Sequence, residues 1–251
     1  MSVVGRAALI TGAASGLGLS FSRALLEKGY GVSMIDVNRW EGNKQVRILQ
    51  DTFGRETAIF TQCDVSDGSQ LASAFKKAFD HFGRLDVVCN NAGVSSRADW
   101  HKTIDINLNA VIHGTFLALE YMSTQRGGHG GLVVNTASFG GLVPMSFEPT
   151  YSASKHGVIG FTRSLFRLVD SDGVRVNSLC PSFTDTPMVV EGRKNPDFDK
   201  MLEVTGVLSI DEVTRGLLQL IRDEDKSGEV LTVTMKHGLR YERFRYEAAK
   251  L

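Results

Sequence analysis

The sequence predicts one α/β domain, residues 1–251, built on a doubly wound parallel sheet of about seven strands. Three observations predict it. Short apolar runs alternate with longer amphipathic segments from end to end, and strand–helix–strand repetition gives a parallel sheet with helices on both faces. Hydrophobic residues make up 42% of the chain, enough for the core such a sheet needs. Composition shifts nowhere in the way an interdomain linker would require.

The elements follow in order. AALIT (7–11) is a first strand and a helix is expected over 16–28. GVSMID (31–36) precedes a helix at 40–53, and AIFTQCD (58–64) precedes one at 67–82. In that last segment Leu71, Phe75, Ala78, Phe79 and Phe82 share one helical face, with Lys76, Lys77 and Asp80 turned away. LDVVCNN (85–91) leads to a long helix at 100–125, and GLVVNTAS (131–138) to one at 150–171. VRVNSLC (174–180) is the sixth strand. The stretch 181–208, with Pro181, Pro187 and Pro196, reads as irregular, and a loop that long inside a compact domain suggests a substrate lid. Ser209 and Glu212 have capping-box spacing at the start of a helix over 209–222. EVLTVTM (229–235) is the seventh strand. The tail KHGLRYERFRYEAAKL (236–251) is basic and aromatic, suited to covering a neighbouring surface or subunit.

Charge and cysteine usage narrow the function. Lys+Arg and Asp+Glu balance at 28 each, so charge makes no case for a nucleic-acid or membrane-surface partner. No apolar stretch reaches membrane-spanning length, and the N-terminus lacks the apolar run of a secretory signal. Cys63, Cys89 and Cys180 are odd in number, far apart and set in apolar runs, as expected of reduced thiols in a cytoplasmic protein. No Cys/His spacing suggests a metal.

The first strand runs into TGAASGLGLS. Gly12, Gly16 and Gly18, with Ser15 and Leu17 between them, form a turn from strand to helix. Glycines there let the backbone approach a pyrophosphate, and the helix N-terminus favours the anion. Asp36, ending the second strand, can accept hydrogen bonds from adenosine ribose hydroxyls and repels a 2′-phosphate. Ser15 and Val37 offer no basic replacement, although Arg39 is near, so NAD is favoured over NADP. Asp64-Val65 and Asn91-Ala92-Gly93 end the third and fourth strands on the same edge, giving a Rossmann-type cofactor crevice.

Two pentapeptides place a lysine four residues after a tyrosine: YSASK (151–155) and YEAAK (246–250). An i,i+4 pair shares a helix face. A unit charge about 4 Å away is worth about 4 kcal/mol at an effective dielectric near 20, enough to lower a tyrosine pKa by up to about 3. Lys155 could thereby make Tyr151 a base. Ser138, ending the fifth strand, could hold the substrate oxygen. Tyr246 has Val233 where Tyr151 has Ser138, so Tyr246 and Lys250 read as tail residues. Asn107 in DINLNAVIHGT could hold a water leading to Lys155, with Asn109 as competitor. His113, His156 and His237 read as packing or surface residues; Phe183, Met188 and Phe198 read equally as pocket lining or as lid packing.

TGAASGLG, Asp36, CDV, NNAG, INLNAVIHGT, Ser138, YSASK and VNSLCPSFTDT, in this order over about residues 5–235, resemble the short-chain dehydrogenase/reductase family. That resemblance implies catalytic roles for Asn107, Ser138, Tyr151 and Lys155. It implies cofactor contacts from Asp64, Val65, Asn91 and the 181–186 turn, which holds Pro181, Phe183, Thr184 and Thr186. It also implies a homodimer or homotetramer paired through the 100–125 and 150–171 helices. CDVSD, DHFGRLD, LEYMS, GGHGG and YSASKHGVIGFTRS are similar to the NAD-linked 15-hydroxyprostaglandin dehydrogenase branch, which implies oxidation of a secondary alcohol on a lipophilic molecule. Glu148 stands where that branch carries a substrate-contacting glutamine, and Ser182 replaces the usual glycine. An NADP-linked carbonyl reductase and a cofactor-binding protein without turnover are the alternatives.

Overall fold

The computed structural model describes residues 5–96 and 98–244. In chain order the elements are β1 (Arg6–Thr11), α1 (Gly16–Glu27), β2 (Tyr30–Asp36), α2 (Arg39–Phe53), β3 (Ala58–Gln62), α3 (Gly68–Phe82) and β4 (Val87–Asn90). Then come α4 (Trp100–Ile104), a π-helical turn (Asp105–Asn109), α5 (Ala110–Met122), β5 (Gly131–Thr136), α6 (Pro149–Ser164), α7 (Leu168–Asp172) and β6 (Val174–Pro181). The remainder is α8 (Pro187–Gly192), α9 (Pro196–Thr205), α10 (Ile210–Arg222), β7 (Val230–Thr234) and β8 (Gly238–Tyr241).

The sheet order is β3-β2-β1-β4-β5-β6-β7-β8, parallel except for the antiparallel β7–β8 pair. The direction of winding reverses between β1 and β4, which opens a crevice at their C-terminal ends. Both faces are covered, so the inner strands are apolar throughout: Ala7, Ala8, Leu9 and Ile10 are all fully buried. Phe21 and Leu25 of α1, Val46 and Leu49 of α2, and Leu217 and Leu220 of α10 fill one face. Leu71 and Phe75 of α3, Leu117 of α5, and Val158 and Ile159 of α6 fill the other.

Local chemistry sets the ends of the helices. The Asp67 carboxylate accepts the Ser69 hydroxyl at 2.7 Å and the Ser69 and Gln70 backbone N–H groups at the start of α3, and these bonds, the Ser69 hydroxyl first, hold its pKa down to about 2. Gly83, at φ +73°, closes the same helix. The Ser209–Glu212 capping box forms as its spacing predicts.

Four features depart from the sequence expectation. The 100–125 helix is divided, because the Ala110 N–H reaches back five residues to the Asp105 carbonyl. The 150–171 helix ends at Ser164 and resumes as α7. The 181–208 stretch is not irregular: Pro187 and Pro196 sit in the first turns of α8 and α9, where a missing N–H costs nothing. The tail supplies an eighth strand, so part of it covers the chain's own sheet edge, and beyond it the Arg163 guanidinium lies 3.5 Å from the Phe244 ring centre. Tyr246 and Lys250 lie outside the described residues.

Candidate active site

The glycine turn is built for close approach. Gly12 has φ +66°, and a Cβ there would stand 2.9 Å from Ala92 Cα. A Cβ on Gly18 would run into the Gly12 carbonyl, so that glycine is needed for α1 to pack on the turn. Ser15 precedes α1 in extended conformation and its side chain caps nothing. Gly16, Leu17 and Gly18 begin the helix, where backbone N–H groups have no intrahelical acceptor. The Leu17 side chain packs on the core, leaving its N–H as what it offers a ligand.

Asp36 braces this turn. One carboxylate oxygen accepts the Ala14 N–H at 3.0 Å and the other the Asn38 N–H at 2.9 Å. Each oxygen keeps lone-pair capacity for a further donor. Val37 is exposed, and Arg39 opens α2. Beyond the next strand, the Asp64 carboxylate accepts from Ser66 and Val65 is buried.

Asn91-Ala92-Gly93 is fixed across the crevice by Thr11, which sequence reasoning did not single out. The Thr11 hydroxyl accepts the Asn91 and Ala92 N–H groups at 2.9 and 3.0 Å, while Asn91 Nδ2 donates to the Thr11 carbonyl at 3.0 Å. Its signal was its place at the strand end just before Gly12. The contact itself spans 80 positions and has no local signature.

Asn107 is fully buried in the π turn. Its Oδ1 accepts the Val94 N–H at 2.8 Å, and its Nδ2 donates to the Val94 carbonyl at 2.8 Å and to Ser154 Oγ at 3.3 Å. Turning the amide inward to bond backbone widens the helical ladder at this point. Its competitor Asn109 is exposed and donates to Asp105. A Cβ on Gly93 would lie 3.4 Å from Asn107 Oδ1 and 3.6 Å from Lys155 Nζ, so the three groups surround one small space.

β5 ends at Thr136, two residues short of the expected end, and Ser138 instead caps the short 3-10 turn Phe139–Gly141, accepting the Gly140 N–H at 3.1 Å. Its hydroxyl is also hydrogen-bonded to Tyr151, and its backbone N–H reaches the buried Cys180 sulfur. Lys155 is buried and donates to the Thr136 carbonyl at 2.8 Å, a second partner that the sequence did not mark. The ammonium lies 5.7 Å from the Tyr151 ring centre.

This geometry corrects the expected electrostatics. Burial is the largest influence on Tyr151 and raises its pKa above the ordinary 10.0; the Ser138 hydrogen bond opposes this, and the charges of Cys180 and Glu148 add to it. Burial also brings Lys155 down to about 8. The charge that was to make Tyr151 a base is itself destabilised by the same desolvation.

Glu148 is half-buried immediately before α6, and its charge bears on the Tyr151 hydroxyl. Phe198 of α9 packs edge-on against Phe147 at 5.7 Å and Phe183 at 4.9 Å, while Met188 is exposed. Pro181 and Thr184 are buried, and Thr186 sits 3.4 Å from where a Gly16 Cβ would stand. His156 bonds the Ser152 carbonyl of its own helix, His113 lies against Gly68, and His237 is exposed in the β7–β8 turn, all away from Tyr151.

The profile described as short chain dehydrogenase matches residues 6–197. The chain is 41% identical to the NAD(+) 15-hydroxyprostaglandin dehydrogenase of Bos taurus over 256 aligned residues, covering 97% of this chain and 96% of that one. Among solved structures it is similar to levodione reductase, with TM-score 0.83 and 28% identity over 91% of this chain and 96% of that one. It is also similar to a short chain dehydrogenase/reductase from Burkholderia phymatum in complex with NAD, with TM-score 0.77 and 26% identity over 89% and 88%. With the glycine turn, the Ser138–Tyr151–Lys155 cluster and a full-length relative in agreement, the chain belongs to the short-chain dehydrogenase/reductase family.

Proposed function

We propose that this protein is an NAD-dependent oxidoreductase that interconverts a lipophilic secondary alcohol and its ketone. The observation that carries this reading is the convergence of Ser138, Tyr151 and Lys155 beside the glycine turn at one sheet edge.

The residues fit a dinucleotide. The Gly12–Gly18 turn leaves a cradle that a Cβ would fill, and the first N–H groups of α1 suit a pyrophosphate. Asp36 suits ribose hydroxyls, with Val65 and Ala92 as apolar walls. Lys155 would hold the second ribose while keeping its bond to Thr136. Bound NAD supplies the hydride acceptor, and its reduced form the donor.

For oxidation, Ser138 orients the substrate hydroxyl and Tyr151 takes its proton as the phenolate, a form that the positive charge of the oxidised nicotinamide would favour when bound. For reduction, the protonated Tyr151 donates to the ketone oxygen. Its raised pKa suits this acid role at neutral pH. Asn107 anchors the Val94 turn and lines the proton path near Lys155.

Phe147, Phe183 and Phe198 favour an apolar substrate under a lid formed by α8 and α9. Glu148 favours a substrate with a hydrogen-bond donor, not a carboxylate, near the carbinol. The protein acts as a homodimer or homotetramer. Its three buried free cysteines suit the reducing cytoplasm.

A scan of secondary alcohols with NAD and NADP, following absorbance of the reduced cofactor, tests the reading. At least a tenfold preference for NAD in kcat/KM is expected, about 1.4 kcal/mol. Asp36→Ala should narrow it. Equal use of both cofactors would refute the assignment to Asp36, and no turnover of any alcohol or ketone would refute the function.

A further inference from the structure

Ser138 meets Tyr151 from the Phe139–Gly141 turn, and a hydroxyl ties that turn to the helix carrying the tyrosine. The Gly140 N–H donates to Ser138 Oγ at 3.1 Å. The Gly140 carbonyl accepts from Ser152 Oγ at 2.8 Å, and Ser152 follows Tyr151 near the start of α6. Ser138 and Tyr151 are themselves hydrogen-bonded. A closed ring results: Ser138 hydroxyl, Gly140 peptide, Ser152 hydroxyl, Tyr151. Two of its members are the catalytic side chains and one is backbone, which leaves the Ser152 side chain.

A helical serine commonly turns its hydroxyl back to the carbonyl four residues earlier. Ser22, Ser73 and Ser164 do so here. Ser152 does not. It is buried, and its hydroxyl leaves the helix for a carbonyl 12 residues away, with the Val143 carbonyl as a longer acceptor at 3.3 Å. The helix does not need that hydroxyl, because the Ser152 N–H already donates to the Glu148 carbonyl at 2.9 Å. The turn also rests directly on α6: a Cβ on Gly141 would stand 2.6 Å from the Lys155 carbonyl. Packing presses turn and helix together, and the directional Ser152–Gly140 bond sets their register.

We infer that Ser152 is a positioning residue for the reaction: by holding the Gly140 carbonyl, its hydroxyl sets where Ser138 Oγ stands relative to Tyr151. The inference rests on the proposed function. The Ser138 hydrogen bond opposes the rise in pKa that burial imposes on Tyr151. A Ser138 free to drift weakens that bond, so the phenolate that accepts the alcohol proton forms at higher pH. Lys155 beside the ring, and Glu148 and Cys180, whose charges also bear on Tyr151, are unaltered by a change at Ser152.

The pH profile of kcat/KM for alcohol oxidation by the full-length protein, measured beside an NADH titration, tests it. Ser152→Ala should lower kcat/KM roughly three- to tenfold, the effect of one lost hydrogen bond, and move the rise of the profile to higher pH. The NADH Kd should stay within about 1.5-fold, a margin well below that effect. Ser152→Thr, which keeps the hydroxyl, should restore rate and profile. In a Ser138→Ala background the Ser152→Ala change should add nothing, as expected of residues acting through one contact. Ser152→Cys keeps the volume with a weak donor and should follow alanine, which carries the test if the alanine variant does not fold. A wild-type rate and profile in Ser152→Ala would overturn the inference. So would a loss that persists in full without the Ser138 hydroxyl, or alanine and cysteine variants that both fail to bind NADH, since either result makes Ser152 a residue of the fold alone. A wild type that binds no NADH or oxidises no alcohol is a different result and would overturn the function itself.

Discussion

At the half-buried Tyr151 and the buried Lys155, two pKa values are shifted in opposite directions by one cause, desolvation, and both shifts can be measured. Tyr151→Phe keeps the ring and the helix and removes the proton carrier. Turnover should fall at least about 10²-fold, the low end of what a positioned acid or base contributes, with the NADH Kd nearly unchanged. Steady-state rates and a binding titration check this; near-normal turnover would overturn the mechanism. For Lys155 the sign follows from linkage. Its folded pKa of about 8 lies below the ordinary 10.5, so between those values the unfolded chain holds a proton that the folded chain has released. Stability of the ligand-free protein therefore gains from this group as pH rises from about 8 toward 10.5, and the cost of burying the charge is fully present below about 8. Denaturant unfolding of wild type and Lys155→Met across pH 7–10 should show wild type gaining on the variant as pH rises. A constant difference would mean that the amine is not desolvated. Glu148→Gln should improve KM for anionic alcohols and leave neutral ones unchanged; no difference for either would show that Glu148 faces elsewhere.

Among the elements, those fixed by local pattern were legible and those fixed by a distant partner were not. The amphipathic face of α3 and the Ser209–Glu212 box are local, and both stand where their spacing put them. The π turn was invisible because it depends on Asn107 finding Val94, 13 residues away and in another loop. α8 and α9 were missed because three prolines read as breakers, whereas two of them are helix starters. β8 was missed because its Gly238–Tyr241 run is polar and half-exposed, as befits an edge strand. α8 and α9 meet at Gly192, where a Cβ would stand 2.6 Å from Phe198 Cζ. Gly192→Val must therefore push the Phe198 ring out of its place between Phe147 and Phe183. If these helices form the lid, the KM of an apolar alcohol should rise several-fold while the NADH Kd holds. Unchanged KM, measured beside the Kd, would show that the aromatic cluster only packs the surface.

For the molecule as a whole, strand order does what no single motif could. The glycine turn, Asp36, the Asn91 turn, Ser138 and Pro181 lie far apart in sequence, and each stands at or just past the C-terminal end of a strand of one parallel sheet. A parallel sheet puts all such ends on the same edge, so the site was legible once the strands were. What the sheet does not determine is what covers its outer helices. Phe116 of α5 is 50% exposed and meets the half-buried Phe161 of α6 edge-on at 5.9 Å, and Phe166, just past α6, is 51% exposed. Exposed aromatic side chains on these neighbouring helices suit a protein contact, and the family resemblance implies one there. Gly160 beside them has open space where a side chain would stand, leaving the face flat enough for a second copy. A twofold pairing through α5 and α6 would bury the same patch of both subunits. Sedimentation velocity at micromolar concentration should then show a species larger than the 27.4 kDa chain. Phe116→Glu, which alters an exposed position and leaves the core alone, should shift that species to the monomer without lowering the NADH affinity of the folded chain. A wild type that sediments only as monomer would refute the pairing. A Phe116→Glu variant that stays associated would move the contact to another face.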